Sequence, residues 1–220
     1  MSHLKLEFSS QLRDQLVKQK TSSLIPIMEN LEVRAKGYDN FFGAKAMPFA
    51  CDDFFSYFML ARLNNAPFLT VKFTPMDSYL FYNQDTPIDK LFCEKDSVLI
   101  KKEFNKFKKM GWAGGFTYTL PPSHTRESIR DLAMDLTAFY LCYCFQELSP
   151  KGLLLTANIK SKIDIFLVQC GFKNLEYPHI IHRELNLNPA KLMVLTKPSD
   201  YMLECYQKYK NHHEIRKVAA

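Results

Sequence analysis

The chain has 220 residues, enough for one large or two small domains, and 47% of them are hydrophobic against 24% charged. This balance is typical of a globular protein and excludes a disordered or fibrous chain. The formal net charge of +6 favours an anionic ligand or partner, but it is too small to predict nucleic-acid binding. The chain contains only seven glycines, which argues against a glycine-rich phosphate-binding loop.

The six cysteines form no Cys-x-x-Cys pair and mostly lie in apolar runs, which favours buried free thiols over disulfides. Residues 1–8 carry charges where a signal peptide needs apolar residues, and no apolar run reaches about 18 residues. We therefore expect a soluble, cytoplasmic protein without a membrane span. No repeat or long linker divides the sequence, so we expect one domain over residues 1–220.

The first half of the chain mixes helices with strands. Residues 4–8 alternate as a strand does, and Ser9 or Ser10 then begins a helix. A second helix is predicted over 22–34, followed by an aromatic loop over 37–43.

A β-hairpin is predicted next. Phe54–Leu63 and Pro67–Phe73 are rich in β-forming residues and are joined by a short segment that begins with Asn64 and Asn65. Asparagine tolerates the positive φ angles of tight turns, so the two segments form antiparallel neighbours.

The second half alternates strands and helices. Gly114–Leu120 predicts a strand that Pro121 and Pro122 end, and residues 123–125 offer caps for a long helix over Arg126–Leu148. That helix is apolar all round near its end, which predicts burial against a sheet.

The remaining elements follow the same alternation. A short strand over 153–156 precedes a helix capped by Asn158, with Gly171 in the position after its C-cap. Further strands are predicted over 172–181 and 192–196. Ser199 or Asp200 then caps a terminal helix with a basic end over 208–217.

This order resembles the C-terminal half of the Gcn5-related N-acetyltransferase (GNAT) superfamily. Leu153–Asn158, followed by Phe166-Leu-Val-Gln-Cys-Gly-Phe172, is similar to the family's strand 5 and to its helix 4 with the Gly-Phe ending. The resemblance covers about residues 114–196. It implies an α/β fold with a twisted, mostly antiparallel central sheet, flanked by helices and splayed between strands 4 and 5.

The resemblance also implies a donor site. Unpaired backbone groups in the splay would bind a pantetheine arm, and a helix N-terminus would bind pyrophosphate. The amides of strand 4 near Thr117–Leu120 would polarise the thioester carbonyl. The expected donor is a coenzyme A thioester or the phosphopantetheine of an acyl-carrier protein, held by residues 111–197. The donor-binding residues would be Phe116, Thr117, Tyr118, Thr119, Leu120, Thr125, Arg126, Ser128, Arg130 and Asn158.

Two departures from the family pattern concern this site. The segment Thr125–Arg130 has no glycine to let backbone approach a phosphate. Arg126 and Arg130 could bind phosphate by their side chains, or they could face solvent and pair with Glu127 or nearby acids. Leu167 occupies the place where many members carry a tyrosine that protonates the departing thiolate.

Both departures are at home in the acyl-homoserine-lactone and N-acyl amino acid synthase branch. Asp52-Asp-Phe-Phe-Ser56 and the strands ending at Lys72 are similar to that branch's acidic residue, strand, turn and strand, although arginine is usual at the last position. Glu103-Phe-Asn-Lys-Phe107 is similar to its Glu-x-Ser-Arg-Phe segment. The resemblance implies that Asp53 and Glu103 recognise or deprotonate an amine acceptor within residues 1–110. An excess of phenylalanine and methionine would suit a long acyl chain, though it also suits an ordinary core.

Each of these candidates has a structural alternative. Asp53 could cap a turn, and Glu103 could be one charge on the solvated lysine-rich face of 101–109, which could also contact phosphates or a carrier protein. His124 could contact phosphate. His179 and His182 point to opposite faces of a strand, so no metal is expected.

The sequence therefore predicts an acyltransferase that moves an acyl group to an amine. The competing hypothesis is a non-catalytic GNAT-shaped interaction module with a degenerate cofactor loop.

Overall fold

The computed structural model describes residues 3–9, 25–42, 51–88, 107, 109–121, 124–148, 151–159, 161–176, 180–182, 188–211 and 213–214. The helices are α1 (Ile25–Phe42), α2 (Met76–Phe81), α3 (Arg126–Glu147), α4 (Ile163–Gln169) and α5 (Asp200–Tyr209), with a 3₁₀ helix over Cys51–Phe55. The strands are β1 (Leu4–Ser9), β2 (Tyr57–Leu63), β3 (Ala66–Pro75), β4 (Gly111–Tyr118), β5 (Leu153–Asn158), β6 (Lys173–Asn174), β7 (Ile180–His182), β8 (Asn188–Leu195) and β9 (His213–Glu214).

The strands join in one twisted sheet. Their order is β6-β8-β5-β4-β3-β2-β1-β9, and β7 also pairs with β8. Among the described strands every pairing is antiparallel except β4 with β5 and β1 with β9. The predicted α/β fold with a mostly antiparallel sheet is confirmed.

The hairpin between β2 and β3 forms where the sequence predicts it. Asn64 and Asn65 both have positive φ angles, 50° and 66°, as a two-residue turn that matches the strand twist requires. The predicted start at Phe54 is wrong, however. Residues 51–55 form the 3₁₀ helix and the strand begins at Tyr57.

Helices cover both faces of the sheet. α1 packs against β2, β3 and β4 on one face, while α3 contacts β3 and β4 on the other and is itself covered by α5. As the apolar sequence of α3 predicts, Thr137–Cys142 are all buried. Asp135 joins α3 to α5, because it accepts hydrogen bonds from the hydroxyls of Tyr201 and Tyr209 and from Lys208.

Other predicted boundaries also need correction: β4 is Gly111–Tyr118 rather than 114–120, and β8 begins at Asn188 rather than 192. The predicted loop over 37–43 is helical as far as Phe42, because α1 continues across Gly37. The helix expected at Asn158 begins only at Ile163. The terminal helix ends at Tyr209, and residues 213–214 pair with β1 rather than extending it. The helix predicted after Ser9 lies outside the described residues.

The cysteines of the described chain are free thiols, with Cys51 exposed and Cys142, Cys144, Cys170 and Cys205 buried. Burial raises the pKa of Cys142 and Cys205 to about 11. Within the described residues, no helix has the length and hydropathy needed to cross a membrane.

Candidate functional site

A cleft opens between β4 and β5 because the two strands diverge. They pair only at Gly111 with Leu153 and at Trp112 with Leu154. Beyond these pairs, and among the described strands, β4 continues its ladder with β3 and β5 continues its ladder with β8, so their facing edges separate. The splay that the sequence predicts is confirmed, and the edge of β4 from Ala113 onward presents backbone groups that β5 does not pair.

A β-bulge at Gly115 lies on the β4 side of this cleft. Lys72 pairs with Gly114 and Thr70 pairs with Thr117, so β4 advances three residues while β3 advances two. Gly115 has a φ of 60°, a conformation that glycine adopts without strain. The extra residue changes which amides of β4 point towards β3.

The direction of the β4 amides follows from one hydrogen bond. The Thr119 N–H donates to the Phe68 carbonyl of β3 at 2.7 Å. Alternation along an antiparallel pair then directs the Thr117 amide towards β3 as well, and the amides of Phe116 and Tyr118 towards the cleft. Among the predicted strand 4 residues, Phe116 and Tyr118 are therefore the amides placed to meet a ligand. Leu120 lies beyond the strand with an exposed side chain.

The start of α3 borders the cleft at the end of β4. Thr125 is the N-cap, and its hydroxyl accepts a hydrogen bond from the Ser128 N–H at 3.3 Å. Both hydroxyls also bond to one another at 2.9 Å. The predicted cap is confirmed, but it already occupies the Ser128 amide, so this helix N-terminus offers a phosphate fewer free donors than a glycine loop would.

Arg126 and Arg130 are both exposed. The Arg130 guanidinium bonds Asp131 at 3.0 Å and lies 4.0 Å from Glu127. Asp131 raises the pKa of Arg130. The contacts of Arg130 thus agree with the alternative in which it faces solvent and pairs with nearby acids. Among the described ion pairs of this region, none includes Arg126.

Asn158 and Leu167 lie on the β5 side. Asn158 ends β5 and its side-chain oxygen accepts a hydrogen bond from the Ser161 N–H at 3.4 Å, so it caps the turn before α4 rather than α4 itself. Leu167 is buried in the core, so no polar group stands at the family's tyrosine position. Phe166 stacks against Phe116 of β4, with ring centroids 6.4 Å apart, and bridges the two sides of the cleft.

A buried ion cluster lies under α1 on the same face of the sheet as the bulge. Asp53 has no exposed surface, and Arg34 of α1 binds it through both guanidinium nitrogens. Lys72 of β3 lies 3.1 Å from Asp53 and 2.8 Å from Asp52. The Tyr79 hydroxyl donates to Asp52 at 2.6 Å. Burial and the Asp52 charge raise the pKa of Tyr79, so this phenol remains a donor.

This ion cluster, comprising Arg34, Asp52, Asp53, Lys72 and Tyr79, changes the interpretation of Asp53. Both carboxylate oxygens of Asp53 are bound by cations, and the side chain has no exposed surface. Asp53 and Lys72 were linked only through the resemblance, which also includes Asp52 in its acidic motif. No role was predicted for Arg34 or Tyr79. The adjacent acids at 52 and 53 are the one local signal that could have indicated a charge cluster.

Several predicted residues lie outside the described part of the chain. Glu103 and most of the lysine-rich segment 101–109 are among them, as is His179. His124 is half-buried just before the N-cap of α3.

Comparisons with known proteins bear on the fold. No family model matches the sequence, and no curated protein matches it. Three solved structures share the fold at low identity. The acyl-homoserine-lactone (AHL) synthase LasI is 10% identical with a TM-score of 0.56, over 94% of this chain and 95% of LasI. BjaI, a CoA-dependent AHL synthase solved with SAM and isopentyl-CoA, is 7% identical with a TM-score of 0.59, over 99% and 92%.

FeeM, an N-acyl amino acid synthase from uncultured soil microbes, is 11% identical with a TM-score of 0.50, over 97% of this chain and 96% of FeeM. These similarities extend over nearly the full length of each chain. The splay between β4 and β5 is also the feature that the resemblance to the GNAT superfamily predicts. The chain therefore has the fold that LasI, BjaI and FeeM share, which is the GNAT-like fold that the sequence predicts.

Proposed function

We propose that this protein is an N-acyltransferase that moves an acyl group from a pantetheine thioester to an amine. The observation that carries this proposal is the β4–β5 cleft with the Gly115 bulge, which turns the Phe116 amide towards the unpaired edge. A free strand edge binds an extended amide-containing chain such as pantetheine by backbone hydrogen bonds. The fold of LasI, BjaI and FeeM supports an acyltransferase in general.

The Phe116 amide is the proposed electrophilic group. An amide that is fixed in a cleft before the reaction stabilises negative charge as it develops on the carbonyl oxygen of the thioester. The rigid bulge would hold this donor without reorganisation. The Tyr118 amide, two residues along the same edge, would bind the pantetheine arm.

The amine must lose a proton before or during attack. Glu103 remains the proposed proton acceptor, because the burial and cation contacts of Asp53 leave that carboxylate no access to the acceptor. The thiol of pantetheine has a pKa near that of cysteine, about 8–9, so its thiolate leaves with little help from an acid. The buried Leu167 is therefore compatible with transfer.

Donor recognition would rest more on pantetheine than on phosphate. The N-cap of α3 uses its own Ser128 amide, and Arg130 already has acidic neighbours. We propose that Arg126 and the exposed start of α3 supply the remaining phosphate contacts. Both coenzyme A and acyl-carrier protein remain proposed donors, and residues 111–197 form the donor half.

The proposed acceptor is an amino acid or an amino acid derivative, and the proposed acyl group is long. The N-acyl amino acid synthase FeeM and BjaI, solved with SAM and isopentyl-CoA, have the same fold and support this choice. Residues 1–110 would supply the acceptor side.

Donor titration tests the proposal. Trp112 is the single tryptophan and forms the last β4–β5 pair before the cleft, so its fluorescence should report ligand binding. We expect saturable binding of octanoyl-CoA, tighter than that of acetyl-CoA or CoA. At a concentration of about 100 times the dissociation constant, a ligand adds about 2.7 kcal/mol of stability, which raises the Tm by about 5–10 °C.

Variants locate the binding. Replacing Arg126 and Arg130 together with alanine should weaken octanoyl-CoA binding without lowering the Tm, since both side chains are exposed. Unchanged affinity in the folded double variant would remove both residues from the site. If neither octanoyl-CoA nor octanoyl-carrier protein binds, the chain is a non-catalytic module and the proposal is wrong.

A further inference from the structure

The Gly115 bulge packs directly on two cations of the ion cluster. A β-carbon built on Gly115 would lie 3.1 Å from Lys72 Cβ, 3.5 Å from Arg34 Cδ and 3.7 Å from Arg34 Nη1. The backbone that turns the Phe116 amide towards the cleft therefore lies next to Arg34 of α1 and Lys72 of β3, with little room for a side chain between them.

The two cations are held in fixed positions. Arg34 is almost fully buried, and its planar guanidinium binds both oxygens of Asp53, a geometry that fixes orientation as well as distance. Lys72 is shared between Asp52 and Asp53. Among the described residues of the ion cluster, two cations face two carboxylates.

A second contact of α1 reinforces the same part of β4. A β-carbon on Gly37, one helical turn after Arg34, would lie 2.9 Å from Thr117 Cβ and 3.0 Å from Thr117 Cγ2. Gly37 thus lets α1 approach β4 closely next to the bulge. Arg34 and Gly37 contact β4 on the two sides of Phe116.

We propose that Arg34 is a positioning residue for acyl transfer, which together with Lys72 holds the Gly115 bulge so that the Phe116 amide points into the β4–β5 cleft. This inference rests on the proposed function for its catalytic meaning. Arg34 acts through the backbone of β4 and does not touch the substrate.

A purely structural role for Arg34 is the alternative, in which the cluster only ties α1 to the sheet. Arg62 offers a matched control. It binds Glu29 of α1 and Glu7 of β1, and its described hydrogen bonds reach no residue of β4. Arg62 therefore ties the same helix to the same sheet without contact to the bulge.

The first test needs no ligand. Amide resonances of Gly115 and Phe116 are compared by NMR in the wild type, Arg34→Lys and Arg62→Lys. We expect Arg34→Lys to move both resonances, because lysine cannot bind both oxygens of Asp53, and Arg62→Lys to leave them in place. Unmoved resonances in a folded Arg34→Lys protein would overturn the proposal.

The second test measures whether the Phe116 amide donates a hydrogen bond to the carbonyl of the bound thioester. The carbonyl stretching frequency of octanoyl-CoA, isotope-labelled at the carbonyl, is recorded free and bound, because a hydrogen bond to the oxygen weakens the C=O bond and lowers this frequency. In Arg34→Lys, most of this decrease in carbonyl frequency should be lost, while the dissociation constant of octanoyl-CoA changes less than about threefold. A misdirected amide donor affects polarisation of the carbonyl more than binding of the whole ligand. Arg62→Lys should keep the wild-type frequency.

A double variant guards against misfolding. Arg34→Met with Asp53→Leu removes both charges together, a replacement that commonly preserves stability. We expect it to fold and to lose the frequency shift as Arg34→Lys does. A wild-type frequency in this variant, or an equal loss in Arg62→Lys, would overturn the proposal.

The outcomes separate the two claims. If the wild-type protein binds octanoyl-CoA without lowering the carbonyl frequency, or does not bind octanoyl-CoA or octanoyl-carrier protein, the proposed function fails. The Gly115 and Phe116 resonances then decide independently whether Arg34 holds the bulge.

Discussion

Replacing Asp53 with asparagine tests whether this residue is structural or a proton acceptor. The substitution keeps the side-chain shape and removes the charge. Asp53 is completely buried and receives hydrogen bonds from Arg34 and Lys72. Lys72 keeps Asp52 as a partner, but Arg34 loses its carboxylate within the core.

The expected cost is large. Removing one partner of a buried ion pair typically costs about 3–5 kcal/mol. For a chain of this size each kcal/mol lowers the Tm by about 2–4 °C, so we expect a decrease of about 6–20 °C. The double variant Arg34→Met with Asp53→Leu should recover most of this loss, because no unpaired charge remains.

Thermal unfolding followed by circular dichroism measures the effect. Asp131→Asn is the control, because Asp131 forms a solvent-exposed pair with Arg130, and such pairs contribute little to stability. A proton acceptor in an open site would behave differently, since its loss would abolish turnover and leave the Tm unchanged. A Tm for Asp53→Asn within about 2 °C of the wild type would refute the structural role.

Three further predictions concern packing, pH and thiol reactivity. Gly37→Ala should lower the midpoint of urea unfolding, because the added β-carbon would collide with Thr117. This overpacking costs about 1–3 kcal/mol, which exceeds the gain of about 1 kcal/mol in helix propensity. An increased midpoint would show that α1 does not pack tightly on β4. The pKa of Glu7 lies below its ordinary value of 4.5: burial alone would raise it, and hydrogen bonding and charge from Arg62 outweigh that effect. The charged carboxylate therefore stabilises the fold above pH 4.5, and this contribution is lost on acidification. Glu7→Gln should accordingly reduce the pH dependence of the urea midpoint. A pH dependence identical to that of the wild type would contradict this prediction. In a Cys93→Ser background at about pH 8, a thiol reagent should label Cys51 rapidly and should label slowly the buried Cys142, Cys144, Cys170 and Cys205; fast labelling of five thiols would contradict their burial.

Local chemistry made much of the fold predictable. Asn64 and Asn65 specify the hairpin because both adopt positive φ, and Thr125 and Ser199 begin α3 and α5 because their hydroxyls cap the first turns. Gly171, with a φ of 97°, ends α4 as predicted. These signals act within a few residues and can be read without the tertiary structure.

Elements that depend on tertiary contacts were predicted poorly. Gly37 reads as a helix breaker in sequence, yet α1 continues through it because the missing side chain permits close contact with Thr117. Asn158 reads as a helix cap, but it caps the turn to Ser161. The ladder of β1 with 213–214 joins distant residues that carry no local signal.

The same difference between local and tertiary signals applies to the candidate site. The splay of β4 from β5 could be predicted from the resemblance, whereas the bulge at Gly115 could not, because it depends on a register shift against β3. Arg34 carried no signal, since its partner lies 19 residues further along the chain. The described contacts therefore move attention from Asp53 to the Phe116 amide and the arginine beneath it.

The most direct test of acyl transfer is mass spectrometry of a single reaction. The protein is mixed with octanoyl-CoA or octanoyl-carrier protein and a panel of amino acids, polyamines and S-adenosylmethionine, with Gly115→Val as the comparison because a side chain there would strain the bulge and meet Lys72. We expect an N-octanoyl product with the wild type, accompanied by an equal amount of free thiol. The rate with Gly115→Val should be at least about tenfold lower. No N-acylated product from either donor, or an equal rate in the folded variant, would contradict acyl transfer at the β4–β5 cleft.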